Sequence, residues 1–465
     1  MCGRGSGPWS VGQMVFLHAL EHAARPPRVS TDLDVVVTTK PVAPPGTGSV
    51  AWDNDDDPSA VSFRPMLRGR SVRGLAVTLI GCHVVRRPIR LGGLASGEEA
   101  WRVESIVLGC WLDAPDELMS EVRVELGSLF EWSHGSGPAV SVTEDRDQTT
   151  VTGRTAILGV AKLDGATLTL RSDCYFGYER STATLNQLVR LVFEPKEGIT
   201  LRSAMDELVF PVRDLLALMT GDYVAVRSVE ARPAVVVEAA QSVQVRYLAP
   251  LQRPYRRRQP REAHEMLATL ANLDIPFEQL LPSWFHLRER HRTAVAMLLI
   301  PTHAPYLYAD SQLLTAWLAL EAYHDVAIGG TAVPADKHKA RVDAIVSAAP
   351  PEHREWARDM LGGKNQIGAK RQLGEIIKRA GATGASITTA KANFVKVAVA
   401  GRQKVAHPTL VTGEAGAELV FLGSAIRWLL RHCLLEDLGV DHDRVAQLIS
   451  SSQDFALALE ELASL

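Results

Sequence analysis

The chain has 465 residues, of which 46% are apolar and 22% charged, with a formal net charge of -3. That length calls for two or three domains, the composition is that of a globular protein with a full core, and the charge excludes a protein whose whole surface grips nucleic acid while leaving room for a local basic patch. Cys2, Cys82, Cys110, Cys174 and Cys433 are odd in number and never spaced C-x-x-C, which argues against a disulfide framework or a zinc site and suits a reducing cytoplasm; no cofactor or metal is expected.

No apolar run reaches the roughly 18 residues that a membrane span needs. The best early run, 14–20, contains His18 and is followed by Glu21 and His22, unlike a secretory signal, so 1–32 is expected to be a flexible extension. From 33 to 250 the texture predicts a β-rich, sandwich- or barrel-like domain. Its strands are expected at 33–39, 75–85, 101–112, 120–126, 139–143, 149–156, 166–171, 187–193, 223–229 and 234–244, with Gly, Asp, Asn and Pro in the turns between them. One helix interrupts it at 203–218, where Met205, Leu208, Val209, Val212, Leu215 and Leu216 recur at helical spacing. The run Asp53-Asn54-Asp55-Asp56-Asp57 lacks the alternating ligands and later glutamate of a calcium loop and reads as a solvated loop. Glu131-Trp132-Ser133-His134-Gly135 reads as packing at a strand end.

The stretch 251–262 reads as an exposed linker. It holds Arg253, Arg256, Arg257, Arg258 and Arg261 with Pro254 and Pro260, and cannot form a core element. It is either a solvated spacer or a phosphate-contacting arm in which Tyr255 is free to stack. From 263 to 465 the pattern is an all-α bundle. Helices are expected at 262–272, 277–300 (broken near Arg290), 309–326, 335–348, 352–361, 370–380, 388–407, 415–435 and 442–463.

Two helices in this bundle carry charges where apolar residues belong. Leu314, Trp317 and Leu318 predict a core-facing stripe that Glu321 continues, and Val395 and Val399 predict an apolar residue where Arg402 stands. Opposite charges on two buried stripes imply an ion pair, a polar cleft or a subunit interface. His407 follows five residues after Arg402, at a helix end stopped by Pro408. A planar guanidinium suits a phosphate oxygen, and imidazole moves protons near neutral pH. Together they suit metal-independent cleavage of RNA, whose 2′-hydroxyl supplies an internal nucleophile. A structural Glu321–Arg402 salt bridge and a capping His407 account for the same residues.

The chain resembles the ApeA-like HEPN ribonucleases in several ordered blocks. These are 71–82 and 105–132 (ending LGSLFEW), 277–285 (FEQLLPSWF), 311–324 (SQLLTAWLALEAYH, with its ALE-x-YH element), and the R-x4-H of Arg402 and His407. The resemblance implies an antiphage abortive-infection effector that cleaves cellular RNA, tRNA being the expected class, and that forms a homodimer through the helical domain with facing R-x4-H motifs. It makes Arg402, His407 and Glu321 the expected catalytic set. Lys404, Gln403, His324, Arg256, Arg257 and Arg258 would be substrate contacts, and a phage-derived trigger would act at the β domain. Gln403 departs from the Asn, Asp or His that many members carry there. The alternative is a non-catalytic HEPN module that binds a nucleotide or protein beside a phage-sensing β domain.

Overall fold

Leu118–Leu126 shows how the β-rich unit is built. Val122, Val124 and Leu126 are buried while Glu121, Arg123 and Glu125 alternate to the other face, the period of two that a half-buried strand imposes, and an irregularity in register between Glu121 and Met119 lets Met119 be buried as well. Register carries this pattern sideways. Val124 lies opposite Leu191 on one neighbour and Val229 on the other, and Val122 opposite Phe193 and Ala231. All six are buried. On the outer face Glu121 takes Arg123 at 2.6 Å and Arg232 at 3.7 Å, the opposite-charge neighbours that steady a sheet face.

The computed structural model describes residues 13–16, 34–37, 63–71, 75–86, 89–91, 94–96, 100–133, 139–142, 149–179, 182–235, 243–247, 261–304, 306–406 and 416–465. It forms two compact units, one from 1–129, 135–210 and 225–260, the other from 130–134, 211–224 and 261–465. In the first, 13 strands make one continuous antiparallel sheet. From Phe63–Ser71 its path runs through Ala76–Arg86, Ser105–Leu108, Val243–Tyr247, Val226–Pro233, Leu118–Leu126, Thr182–Pro195 and Ala166–Glu179 to Ala156–Leu163. The expected strands appear at nearly all their positions, whereas Phe63–Ser71 was not expected. Pro65 and three arginines mask its pattern, yet it pairs with Ala76–Arg86 from Phe63↔His83 to Arg70↔Ala76. The Asp53–Asp57 run lies outside the described residues. Glu131 and Trp132 stand in a helical turn, Leu129–Trp132, and not at a strand end. Trp132 is buried.

The helical unit contains α1 (Phe210–Thr220, whose residues from 211 belong here), α2 (Phe277–Arg290), α3 (Arg292–His303), α4 (Ala309–Ala327), α5 (Ala335–Ala348) and α6 (Arg354–Gly362). After these come α7 (Ala369–Arg379), α8 (Gly381–Ala390), α9 (Phe394–Ala406), α10 (Gly416–Asp437), α11 (His442–Ser450) and α12 (Gln453–Ala463). The helix expected at 262–272 is a single 3₁₀ turn, Ala263–Glu265, closed by reciprocal Glu262 and Glu265 caps. The chain then continues through bends and a turn at Leu270–Asn272, and two of its amides have partners elsewhere: Ala268 N–H donates to Met219 and Leu270 N–H to Trp132. The expected 442–463 helix is two, divided where the Ser452 hydroxyl accepts from Phe455 N–H, an N-cap signature. The glycine-rich α8 was not expected as a separate helix.

Gly384 explains how α8 packs. It is buried, and a Cβ there would run into the Ile377 carbonyl oxygen on α7. Gly384→Ala is therefore expected to destabilise the chain by about 1–3 kcal/mol through overpacking, overriding the roughly 1 kcal/mol that alanine gains in helix propensity. Urea unfolding checks this, and a neutral or stabilising result contradicts the packing.

Candidate active site

The site begins with a residue that has no side chain. In α9 the innermost stripe is Phe394, Ala398 and Gly401. A Cβ on Gly401 would meet Leu313 of α4 at 3.2 Å and Leu422 of α10 at 3.3 Å. Glycine lets the three helices close on one another here. Gly423 does the same from the α10 side, where a Cβ would lie 3.2 Å from the Gln312 oxygen and Leu313 Cα.

This approach brings the next residue, Arg402, onto α4. Arg402 Nη2 lies 2.7 Å from Glu321 Oε1, and its guanidinium carbon is 5.9 Å from the Trp317 ring centre, at the outer reach of a cation–π contact. Trp317 is buried and forms the floor. The ion pair is not in the core, however: the Arg402 side chain remains 36% exposed and that of Glu321 26%. This corrects the expected stripes. The buried face of α4 is Leu313, Ala316, Trp317, Leu320, Tyr323 and His324, while Leu314 and Leu318 are 40% and 42% exposed. Those leucines, read as core-facing, line the same open edge as Glu321. A desolvated charge pair would need to recover a large penalty; here water covers part of both groups.

Gln403 and Lys404 follow on the exposed side of α9. His407 lies outside the described residues, as do Arg256, Arg257 and Arg258 of the basic stretch. His324, expected as a substrate contact, is turned inward instead. Its side chain is 1% exposed, and Nε2 is 2.7 Å from Glu375 Oε2. That contact, with a second from Arg371, holds the Glu375 carboxyl below the usual carboxylate range. His324 therefore ties α4 to α7 and does not face the open edge.

Two further polar clusters were not singled out in the sequence. Tyr323 donates to Asp437 at 2.7 Å and stacks on His291 at 4.9 Å. Burial first, and then the charges of Arg290 and Arg379, lower the His291 pKa against the pull of Asp437. In the other, Asp214 of α1 meets His303 at 3.0 Å and Arg288 at 3.3 Å. Burial alone pushes the Asp214 carboxyl up, but the His303 hydrogen bond and the charges of Arg213, His303 and Arg288 outweigh it and hold it low. Both are buried networks that fasten helices together, and their residues are spread too widely in sequence to show a spacing.

Residues 54–284 match the family model of ApeA N-terminal domain 1, and residues 314–444 match that of Apea-like HEPN. The second match contains Trp317, Glu321, Arg402 and His407. No curated protein and no solved structure matches the chain.

Because the Arg402–Glu321 pair is half solvated, its removal is expected to cost little stability. Arg402→Ala and Glu321→Gln should each lower the unfolding free energy by no more than about 1 kcal/mol. Losses of about 3–5 kcal/mol, the signature of a broken buried pair, would show that the two charges serve the core.

Proposed function

The chain belongs to the ApeA-like HEPN family of abortive-infection effectors, and we propose that it acts there as a metal-independent endoribonuclease, with tRNA as the expected target class. The observation that carries this reading is Arg402. It is a guanidinium anchored through one nitrogen by Glu321, floored by Trp317 and still more than a third exposed. A buried structural arginine would be enclosed. This one keeps a surface open for phosphate oxygens, and its planar fork of donors suits them.

In the proposed reaction the RNA 2′-hydroxyl loses its proton to a histidine and attacks the adjacent phosphorus. The P–O5′ bond breaks, the departing 5′-oxygen takes a proton, and the products carry a 2′,3′-cyclic phosphate and a 5′-hydroxyl. His407 handles a proton in this exchange. Arg402 stabilises the charge that develops on the phosphorane, and Glu321 orients Arg402. Lys404 and Gln403, exposed beside it, contact the flanking backbone, with Arg256, Arg257 and Arg258 as further phosphate contacts from the linker. Exposed Leu314 and Leu318 beside the pair support a homodimer in which two such edges face each other and each copy's His407 serves one of the two proton transfers. The β-rich unit would receive the phage-derived trigger. Among the described residues no helix is long and apolar enough to cross a membrane, and the proposed location is the cytoplasm.

The test is growth of bacteria, with and without phage challenge, expressing the native chain, Arg402→Ala or His407→Ala, paired with RNA cleavage by the purified proteins. The native chain should arrest growth and both variants should not. Cleavage should fall on the order of 100- to 1,000-fold in Arg402→Ala, the cost of removing one preorganised donor to a developing charge. Equal behaviour of all three contradicts the enzyme and favours a module that only binds a nucleotide or protein.

A further inference from the structure

At the far end of α10 a second group of side chains converges on one point. His432 and Glu436 lie one helical turn apart on α10, and His442 begins α11. One ligand-type atom from each lies within 4.8 Å of the others. His442 Nδ1 is 3.5 Å from His432 Nε2 and 3.4 Å from Glu436 Oε1. Ligands held about 2.0–2.1 Å from a tetrahedral ion stand about 3.3–3.4 Å apart, so both separations match two edges of such a tetrahedron.

We propose that His432, Glu436 and His442 bind a divalent transition-metal ion of the zinc class, clasping the end of α10 to the start of α11. Two imidazoles and one carboxylate are the donor set that borderline-soft ions favour over magnesium or calcium.

Further features prepare these side chains for the ion. His432 is fully buried, and its Nδ1 is 2.9 Å from the Thr383 hydroxyl of α8. With Nδ1–H donated to that oxygen, Nε2 presents its lone pair to the cluster, the outer hydrogen bond by which metal-ligating histidines are oriented. Gly381 has a positive φ of +50°, and a Cβ there would strike the His442 ring. The glycine makes the space that ring occupies. Glu436 Oε2 is buried with no hydrogen-bond partner. Arg379 Nε approaches it only to 3.9 Å, and that guanidinium is engaged by Asp437 through Nη2 at 2.5 Å. The other carboxylate oxygen, Oε1, is the one that faces His442, and the positive charge nearest the carboxylate is shared with Asp437.

The ion would serve the fold. Gly401 rests on Leu419 and Leu422, three to four helical turns before His432 and Glu436, which places the two sites roughly 20 Å apart along α10 at about 1.5 Å per residue. The proposal stands independently of the ribonuclease reading.

The experiment uses the full-length, tag-free chain, stripped with EDTA, dialysed and titrated with Co²⁺ and then Zn²⁺. The expected result is one ion per chain, the visible absorption of low-coordinate cobalt, its bleaching by zinc, and a higher unfolding temperature with zinc than without. Glu436→Gln and His442→Gln should abolish the cobalt spectrum. Thr383→Val should weaken binding about 10- to 100-fold, and Arg402→Ala should leave it unchanged. Absence of stoichiometric binding to the native chain overturns the proposal without reference to any variant. Equal affinity in Glu436→Gln and His442→Gln, with circular dichroism showing both folded, overturns it as well.

Discussion

The contact between Arg402 and Glu321 governs how the helical unit is to be understood. A 2.7 Å ion pair joins α4 and α9 immediately beside Gly401, where the absence of a side chain leaves room for Leu313 and Leu422. Gly423 repeats the device where α10 meets α4. Close approach at glycine places a charged residue immediately beside the seam, and the seam's edge leaves that residue half in water. A side chain at 401 would press on the ends of Leu313 and Leu422, 3.2 and 3.3 Å from where its Cβ would stand. Packing and chemistry thus meet in consecutive residues.

Much of this was legible in the sequence, for physical reasons. The pairing of Glu321 with Arg402 follows from opposite charges interrupting two apolar helices. The β-rich texture before residue 250 follows from alternation such as that which buries Val122, Val124 and Leu126. What failed was the direction of the α4 stripe. Leu314 and Leu318 are as apolar as Leu313 and Leu320, and periodicity alone does not say which side of an apolar helix meets the core. The 262–272 helix failed because Ala268 and Leu270 give their amides to Met219 and Trp132, partners far away in sequence. The strand Phe63–Ser71 was hidden by its proline and arginines, although it pairs with Ala76–Arg86 from Phe63↔His83 to Arg70↔Ala76. His324 looked like part of the ALE-x-YH surface, yet Glu375 on α7 holds it inside. The i,i+4 spacing of His432 and Glu436 was visible in the chain, but nothing local showed that His442 folds back onto it.

The helical unit accordingly separates two kinds of chemistry along α10. Near its start, the Gly401 seam supports an exposed guanidinium suited to phosphate. Near its end, buried imidazole, carboxylate and a second imidazole surround a point suited to a cation. The proposed metal-independent cleavage and the proposed cation site are compatible because they draw on distinct groups. Chelation experiments on cleavage should for that reason be run at a temperature at which the stripped chain remains folded.

The central claim is that Arg402 and His407 promote attack by the RNA's own 2′-hydroxyl, and the chemistry of the cut ends tests it most directly. Mass spectrometry of RNA fragments produced by the purified native chain should show 2′,3′-cyclic phosphates and 5′-hydroxyls, with no cleavage at a position where a 2′-deoxynucleotide has been substituted. Fragments ending in 3′-hydroxyls and 5′-phosphates, or cleavage that persists at the 2′-deoxy position, would contradict the account.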